Sequence, residues 1–246
     1  MSSLNLPIEP LTSAGRIFGA PAAPDSPNVR DRIAIFHRLC PIEGAAFADI
    51  GGGTGSYAAQ LITRCSERLV LIDILPNHIA AARKTLSSFG DKATCLLGTA
   101  EDTKLEGDAF DCAFLIEVLD HVDEALPCLI EARRILKPGG RLYISVPNWL
   151  FPLEIHPVRF GSRFVHPIWA PFLPWVKSLH DRLATAAVFT QRELQALAEQ
   201  AGFVSFRADY LMPPFERHPF LRGFSKALEK TPAKLLGVCI CAVMLK

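Results

Sequence analysis

The chain has 246 residues, of which 50% are hydrophobic and 21% charged, so it can bury a substantial core and is too apolar for wholesale disorder. Lys and Arg number 26 against 25 Asp and Glu, which gives a net charge of +1. This balance argues against a protein that binds nucleic acid by broad electrostatics, because neutralising phosphates needs a basic excess.

The cysteines and the N-terminus point to a cytoplasmic protein. Seven cysteines are scattered without a C-x-x-C pair, which is typical of reduced thiols. Cys239 and Cys241 are close, but no other ligand type clusters beside them, so we expect no metal site. The N-terminus has no secretory signal pattern, and no apolar run is long enough to span a membrane.

In chain order, short apolar runs alternate with stretches that favour helices. The runs that predict strands are 47–50, 69–74, 94–97, 111–118 and 141–146. The stretches that predict helices are 29–40, the segment from the glycines at 51–55 to about 65, 76–89 and 124–136. Several strands are apolar on both faces, which indicates a parallel sheet covered by helices on both sides.

The alternation breaks at Pro147 and resumes near Thr190. Thr190, followed three residues later by Glu193, predicts a capping box and a helix over 190–201. Strands are predicted at 203–210 and 237–245. We therefore predict a single α/β domain, with a doubly wound, mostly parallel, seven-stranded Rossmann-like sheet and an antiparallel final strand. Its predicted parts are an N-terminal arm and helix (1–40), a cofactor-binding core (41–148), an acceptor-side insertion (149–189) and a C-terminal part (190–246) with an insertion at 211–234.

A glycine-rich loop joins the first predicted strand to a helix, with the sequence Asp49-Ile50-Gly51-Gly52-Gly53-Thr54-Gly55. Glycines let a ligand lie against backbone amides, and the helix start favours an anionic group. The dinucleotide pattern counted from Gly51 would need a glycine where Ser56 stands, and the Gly-Lys-Ser/Thr of a phosphate-binding loop is absent.

The spacing acid-x-Gly-x-Gly-x-Gly resembles motif I of the class I S-adenosylmethionine-dependent methyltransferases. Asp73 at the end of the second strand and residues 98–102 after the third match further positions of that family. Two more segments resemble its quinone-biosynthesis, or type 11, group: Ile116-Glu117-Val118-Leu119-Asp120-His121-Val122 after the fourth strand and 134–142 before the fifth. The motifs occur in the correct order.

The resemblance implies S-adenosylmethionine as cofactor and a role for each matching residue. The loop amides and Asp49 would hold the methionine part, and Asp73 would accept hydrogen bonds from the ribose hydroxyls. The remaining implied contacts are with adenine (Ile74, Ala100 and Glu101) and with the sulfonium region (Ile116 and Glu117). The implied loop glycines are Gly51, Gly52, Gly53 and Gly55.

The acceptor side is less defined. The insertion carries seven aromatic residues that suit a hydrophobic or aromatic small molecule, or that pack as a separate small core: Trp149, Phe151, Phe160, Phe164, Trp169, Phe172 and Trp175. His121 is the first candidate for a general base, ahead of His156, His166 and His180. A basic amphipathic helix over 220–230 would indicate peripheral membrane contact.

We therefore predict transfer of a methyl group to an oxygen, before carbon or nitrogen, of an apolar small molecule. The alternatives are a non-catalytic binding subunit of the same fold and a methyltransferase acting on a membrane-associated lipid or quinone. A nicotinamide-dependent dehydrogenase is disfavoured by Ser56, and a nucleic-acid methyltransferase by the charge balance. The sequence does not define the oligomeric state.

Overall fold

The computed structural model describes residues 16, 26–161, 163–165, 170–213 and 219–246, with the backbone alone at 219–222. Most of the predicted N-terminal arm, together with His166 and Trp169, lies outside these residues. The strands are β1 Gly44–Ile50, β2 Cys65–Asp73, β3 Ala93–Leu97, β4 Phe110–Ile116, β5 Leu136–Pro147, β6 Val158–Phe160, β7 Arg163–Val165, β8 Val204–Leu211 and β9 Cys239–Leu245. The helices are α1 Pro27–Leu39, α2 Ser56–Leu61, α3 Pro76–Thr85, α4 Ala125–Ile135, α5 Lys177–Leu183, α6 Gln191–Gln200 and α7 Pro219–Leu228.

Seven strands form one sheet in the order β3-β2-β1-β4-β5-β9-β8. The neighbouring pairs from β3 to β5 are parallel, whereas β9 runs antiparallel to both β5 and β8. This sheet confirms the predicted fold, including the antiparallel final strand. The strand order reverses between β1 and β4, and ligands of open α/β sheets bind at the carboxyl ends of the strands beside such a switch point.

The two faces of the sheet carry separate hydrophobic cores. One core packs α4 and α6 against the sheet, with Leu129 and Leu194 fully buried. The other packs α1, α2 and α3, with Phe36 and Leu61 fully buried. The helix α6 begins with the predicted capping box, since Thr190 and Glu193 exchange both hydrogen bonds. None of the helices in the described part of the chain is long and apolar enough to cross a bilayer.

Several predicted element boundaries are wrong, two of them because strand pairing extends beyond the apolar runs. The helix expected to reach residue 65 ends at Leu61, and β2 already begins at Cys65, which pairs with Gly44. The helix expected to reach 89 ends at Thr85, before a kink at Gly90. Residues 137–140, between the predicted helix 124–136 and the predicted strand 141–146, belong to β5, where the register with β4 shifts next to Phe110.

Candidate functional site

The glycine loop between β1 and α2 has the conformation that only glycine adopts readily. Gly51, Gly53 and Gly55 have φ values of 72°, 55° and 85°, a region that L side chains rarely enter. A Cβ on Gly51 would lie 2.5 Å from a methyl carbon of Val118. The loop therefore depends on glycine for its backbone shape and for its close approach to the segment after β4.

Asp49 lies beneath this loop, with 1% of its surface exposed. Among the described residues its Oδ2 atom has no hydrogen-bond partner, and a Cβ on Gly52 would lie 2.7 Å from that atom. Burial raises the pKa of Asp49 to about 7 and the nearby Asp73 adds to the rise, while the amide of Ala58 acts against it. A cation beside the loop would stabilise the ionised carboxylate.

Asp73 is the last residue of β2, and its carboxylate contacts the glycine loop that follows β1. Its Oδ2 accepts a hydrogen bond from the Gly53 amide at 2.9 Å, and its Oδ1 accepts one from the Leu75 amide at 2.9 Å. The Nδ1 atom of His78 lies 3.1 Å from Oδ1. Sequence reasoning did not identify His78, although its position in the first turn of α3 brings it back toward the strand end.

The other residues predicted to contact the cofactor lie at the same edge of the sheet. Ile74 is 45% exposed directly after β2, and Ile116 is buried at the end of β4. Ala100 and Glu101 follow β3, half-buried and exposed respectively, and the Gly98 amide bonds to the Asp73 carbonyl at 3.1 Å. The parallel strands thus bring the predicted cofactor residues to one edge.

Glu117 follows β4 with a φ of 55°, a strained conformation for a residue other than glycine. The Ser145 hydroxyl donates to its Oε1 at 2.6 Å, and Arg32 Nη2 lies 3.1 Å from the same oxygen. Burial acts to raise the pKa of Glu117, but Arg32 and Ser145 outweigh burial and hold it below its usual value. These contacts fix the carboxylate beside the end of β4.

Arg32 was missed by sequence reasoning, although the sequence contains a signal for it. It shares the buried face of α1 with Val29, Ile33 and Phe36, a spacing that normally holds apolar side chains. A buried arginine on such a face needs a buried partner. Here it donates to both Glu117 and the Tyr57 hydroxyl, and so links α1 to the site.

The predicted base, His121, lies just beyond Glu117 and is 7% exposed. Its Nε2 atom is 3.1 Å from Oδ2 of Asp120, which is fully buried. Burial raises the pKa of the Asp120 carboxyl, while the adjacent His121 acts in the opposite direction. The insertion brings His156 to the same carboxylate, with its Nε2 atom 3.7 Å from Oδ2.

The insertion contains both buried and exposed apolar side chains. Val158 and Leu173 are buried beneath it. Phe172 and Trp175, whose ring centroids lie 5.1 Å apart, are 54% and 45% exposed, and Phe160 is 54% exposed. A small core therefore anchors the insertion while several of its aromatic rings face outward, and their predicted role in binding an acceptor stays a prediction.

Comparison with known proteins identifies related chains. Residues 48–144 match a family profile described as "Methyltransferase domain". A ubiquinone biosynthesis O-methyltransferase of Cereibacter sphaeroides is 31% identical over 163 residues, which are 66% of this chain and 61% of that protein. The chain therefore spans less than two thirds of that relative's length.

Solved structures support the fold. An S-adenosylmethionine-dependent methyltransferase from Thermotoga maritima has a TM-score of 0.59 at 22% identity, covering 89% of both chains. Phosphoethanolamine N-methyltransferase 2 of Haemonchus contortus, solved with S-adenosyl-L-methionine, has a TM-score of 0.59 at 18% identity, covering 88% of this chain and 52% of that one.

Proposed function

We propose that this chain belongs to the class I S-adenosylmethionine-dependent methyltransferase family, as the matching profile and the relatives suggest, and that it transfers a methyl group from that cofactor to an oxygen of a hydrophobic or aromatic small molecule. One observation carries the proposal. A glycine loop with three positive φ angles covers the buried Asp49, whose Oδ2 atom has no partner among the described residues, while Asp73 contacts the same loop.

The residues present fit the cofactor. The ammonium group of its methionine part supplies the cation that a buried, unpartnered Asp49 oxygen lacks. The loop glycines leave their backbone uncovered by side chains, which suits close approach of the methionine part, and Asp73 suits the ribose hydroxyls. The full set proposed to bind it is Asp49, Gly51, Gly52, Gly53, Gly55, Asp73, Ile74, Ala100, Glu101, Ile116 and Glu117.

When bound, the cofactor supplies a methyl group on a cationic sulfur. The protein then has to align the acceptor oxygen with the methyl carbon and exclude water, which together contribute roughly 7–11 kcal/mol in well-oriented systems. Glu117 suits a place beside the cation, because Arg32 and Ser145 fix its carboxylate. Its strained backbone indicates that the surrounding contacts determine its position.

A hydroxyl acceptor has to lose a proton as the methyl group arrives, and His121 is our proposed base. Its Nε2 atom faces Asp120 at 3.1 Å, so a hydrogen bond there would leave Nδ1 to accept the proton. In the described part of the chain, Nδ1 has no hydrogen-bond partner. The carboxylate thus lies beside the imidazole, although among the described residues no hydrogen bond joins the two groups.

The acceptor class is supported by the insertion and by the relatives. The insertion follows β5 at the carboxyl edge and presents Phe160, Phe172 and Trp175 at its surface. Flat, rigid apolar groups favour an aromatic ligand over a sugar phosphate. The relatives with the printed name O-methyltransferase favour oxygen as the methylated atom.

The test is release of S-adenosylhomocysteine from labelled cofactor across a panel of phenols, catechols and quinols. We expect turnover with at least one apolar phenol, and a loss of cofactor affinity of roughly 10- to 100-fold in Asp73→Ala, from lost charge-assisted hydrogen bonds. The exposed Asp91→Ala is the matched control. Cofactor binding without turnover on any acceptor would favour the non-catalytic alternative, and unchanged affinity in folded Asp73→Ala would refute the ribose contact.

A membrane-associated acceptor is the second candidate. Val176 and Leu179 are 50% and 43% exposed next to Trp175, and Phe224 on α7 is 57% exposed. Aromatic and aliphatic side chains exposed together suit a bilayer interface. Sedimentation with anionic vesicles tests this candidate, and the double variant Trp175→Ser, Val176→Ser should abolish it while cofactor affinity stays unchanged.

A further inference from the structure

One arginine connects the first helix to both sides of the crevice at the switch point. Arg32 lies on the buried face of α1, and its side chain is 8% exposed. Its guanidinium donates to the Tyr57 hydroxyl in the first turn of α2, directly after the glycine loop. It also donates to Oε1 of Glu117 at 3.1 Å and to Sγ of Cys239 on β9 at 3.3 Å. The charge of Arg32 is therefore held between the two segments that flank the proposed cofactor site.

The stability of the fold alone does not explain this buried ion pair. Burying two charges costs hydration, and replacing both partners by apolar side chains is often neutral or stabilising. Within the described residues the Nε atom of Arg32 also has no hydrogen-bond partner, which is a further cost. A charged pair that brings so little stability points to a role in the site.

Glu117 is the member of the pair that reaches the proposed site. β1 and β4 are neighbouring parallel strands, so the glycine loop and Glu117 leave the sheet side by side. A Cβ on Gly51 would lie 2.5 Å from a methyl carbon of Val118, the next residue. The Glu117 side chain is 25% exposed, against 8% for Arg32. A ligand at this edge would therefore meet the carboxylate, with the guanidinium behind it.

The cofactor changes its charge during the reaction. S-adenosylmethionine has a cationic sulfur, whereas the sulfur of S-adenosylhomocysteine, which remains after methyl transfer, is neutral. An unpaired carboxylate nearby would bind the cationic form more tightly. It would also oppose the reaction, because it stabilises the starting state more than a transition state in which the sulfur loses its charge. A cation held against that carboxylate cancels both effects.

We propose that Arg32 is a positioning residue that neutralises Glu117, and that it thereby sets how strongly the site prefers S-adenosylmethionine over S-adenosylhomocysteine. This role rests on the proposed function. Arg32 and the Ser145 hydroxyl both bind Oε1 of Glu117, so the carboxylate is held with its countercharge in place. Asp49 differs, because its Oδ2 atom has no partner among the described residues. The chain thus neutralises one carboxylate itself and leaves the other to the ammonium group of the ligand.

Binding of the two ligands, measured by isothermal titration at pH 8, tests this role without an acceptor. The quantity compared is the ratio of their two dissociation constants. Arg32→Met should shift the ratio toward S-adenosylmethionine, because it leaves the Glu117 carboxylate without a cation. Glu117→Gln should shift it toward S-adenosylhomocysteine, because it leaves the guanidinium without an anion. Each shift should be roughly 10-fold, the size expected for one unit charge several ångströms from the sulfur in a partly solvated site.

Three further variants serve as controls. The double variant Arg32→Met, Glu117→Gln removes both charges and should return the ratio to within about 2-fold of the unchanged protein. Arg32→Lys keeps the charge, so its ratio should also stay within about 2-fold, even if both affinities change. Arg38→Met is the matched control, because Arg38 lies on the same helix but is 58% exposed and pairs with Asp209. Its ratio should be that of the unchanged protein.

A merely structural role would change both affinities together and leave their ratio unmoved. Thermal unfolding shows whether each variant is folded, and Glu117→Gln, which keeps Arg32, carries the test if Arg32→Met does not fold. An unmoved ratio in Glu117→Gln, or a shift in the same direction in both single variants, would overturn the role. Failure of the unchanged protein to bind either ligand would refute the proposed function and this role with it, whereas binding of both ligands with unmoved ratios would refute only the role of Arg32.

Discussion

The affinity for the cofactor should fall as the pH drops through the pKa of Asp49. That carboxyl is buried, and its pKa is raised to about 7, chiefly by burial and further by Asp73. Only the ionised form can pair with the cofactor's ammonium group. The free protein must therefore lose a proton before binding whenever the pH lies below about 7.

The magnitude follows from the ionised fraction of Asp49. With a pKa of about 7, the fraction ionised is about 0.76 at pH 7.5 and about 0.03 at pH 5.5. If the carboxylate stays ionised in the complex, affinity weakens about 25-fold between these values, or about 1.9 kcal/mol. Above pH 7.5 the affinity should level off.

Isothermal titration of S-adenosylhomocysteine between pH 5.5 and 7.5 measures this dependence. Asp49→Asn should bind more weakly and lose most of the pH dependence, because its amide does not titrate. Asp91→Asn, at an exposed position, should keep the affinity and the slope of the unchanged protein. A full 25-fold dependence retained in Asp49→Asn would show that another group titrates, and would refute the pairing.

The remaining predictions concern stability. The pKa of Asp49 is higher in the folded protein than in the unfolded chain, so its ionisation destabilises the fold once the pH exceeds the unfolded pKa. Asp49→Asn should therefore raise the melting temperature, with a gain in unfolding free energy of at most roughly 4 kcal/mol at pH 8 and about half of that at pH 5.5. A lower melting temperature at pH 8 would contradict this. Gly51→Ala should abolish cofactor binding, because a Cβ there would have both a strained φ and a 2.5 Å contact. Gly139→Ala, at a φ of 75° in open space, should lose only about 1–2 kcal/mol of unfolding free energy, measured by urea denaturation. Arg32→Met should lose roughly 3 kcal/mol of unfolding free energy, because it leaves Glu117 without its cation. Adding Glu117→Gln should restore part of that loss. Equal losses in the single and double variants would argue against a strong ion pair.

Local sequence was enough to predict the sheet but not the limits of its strands. Several parallel strands contain a run that is apolar on both faces, and that run is readable without tertiary information. Cys65 begins β2 and Leu136 begins β5 because backbone partners lie beside them, at Gly44 and Phe110. The residues near these starts are polar or glycine-rich, so nothing local marks them as strand.

The candidate site was also predictable from the sequence only in part. The residues from Asp49 to Gly55 are contiguous, so their spacing predicted a binding loop, and Asp73 could be placed through the order of the strands. His156 could not be joined to Asp120, because the path of the insertion depends on buried contacts such as those of Glu154 and His180. No periodic pattern records that path.

Three acidic residues at the carboxyl edge, two buried and one half-buried, differ in whether the chain itself supplies a cation to them. Glu117 has its cation supplied within the chain, since Arg32 reaches it from α1. Asp49 and Asp120 have oxygens without hydrogen-bond partners among the described residues, and an unpaired buried carboxylate opposes folding. At Asp49 the proposed cofactor supplies the missing cation as its ammonium group. Cofactor-induced stabilisation should therefore be larger than burial of the ligand alone would give, and Asp49→Asn should diminish it.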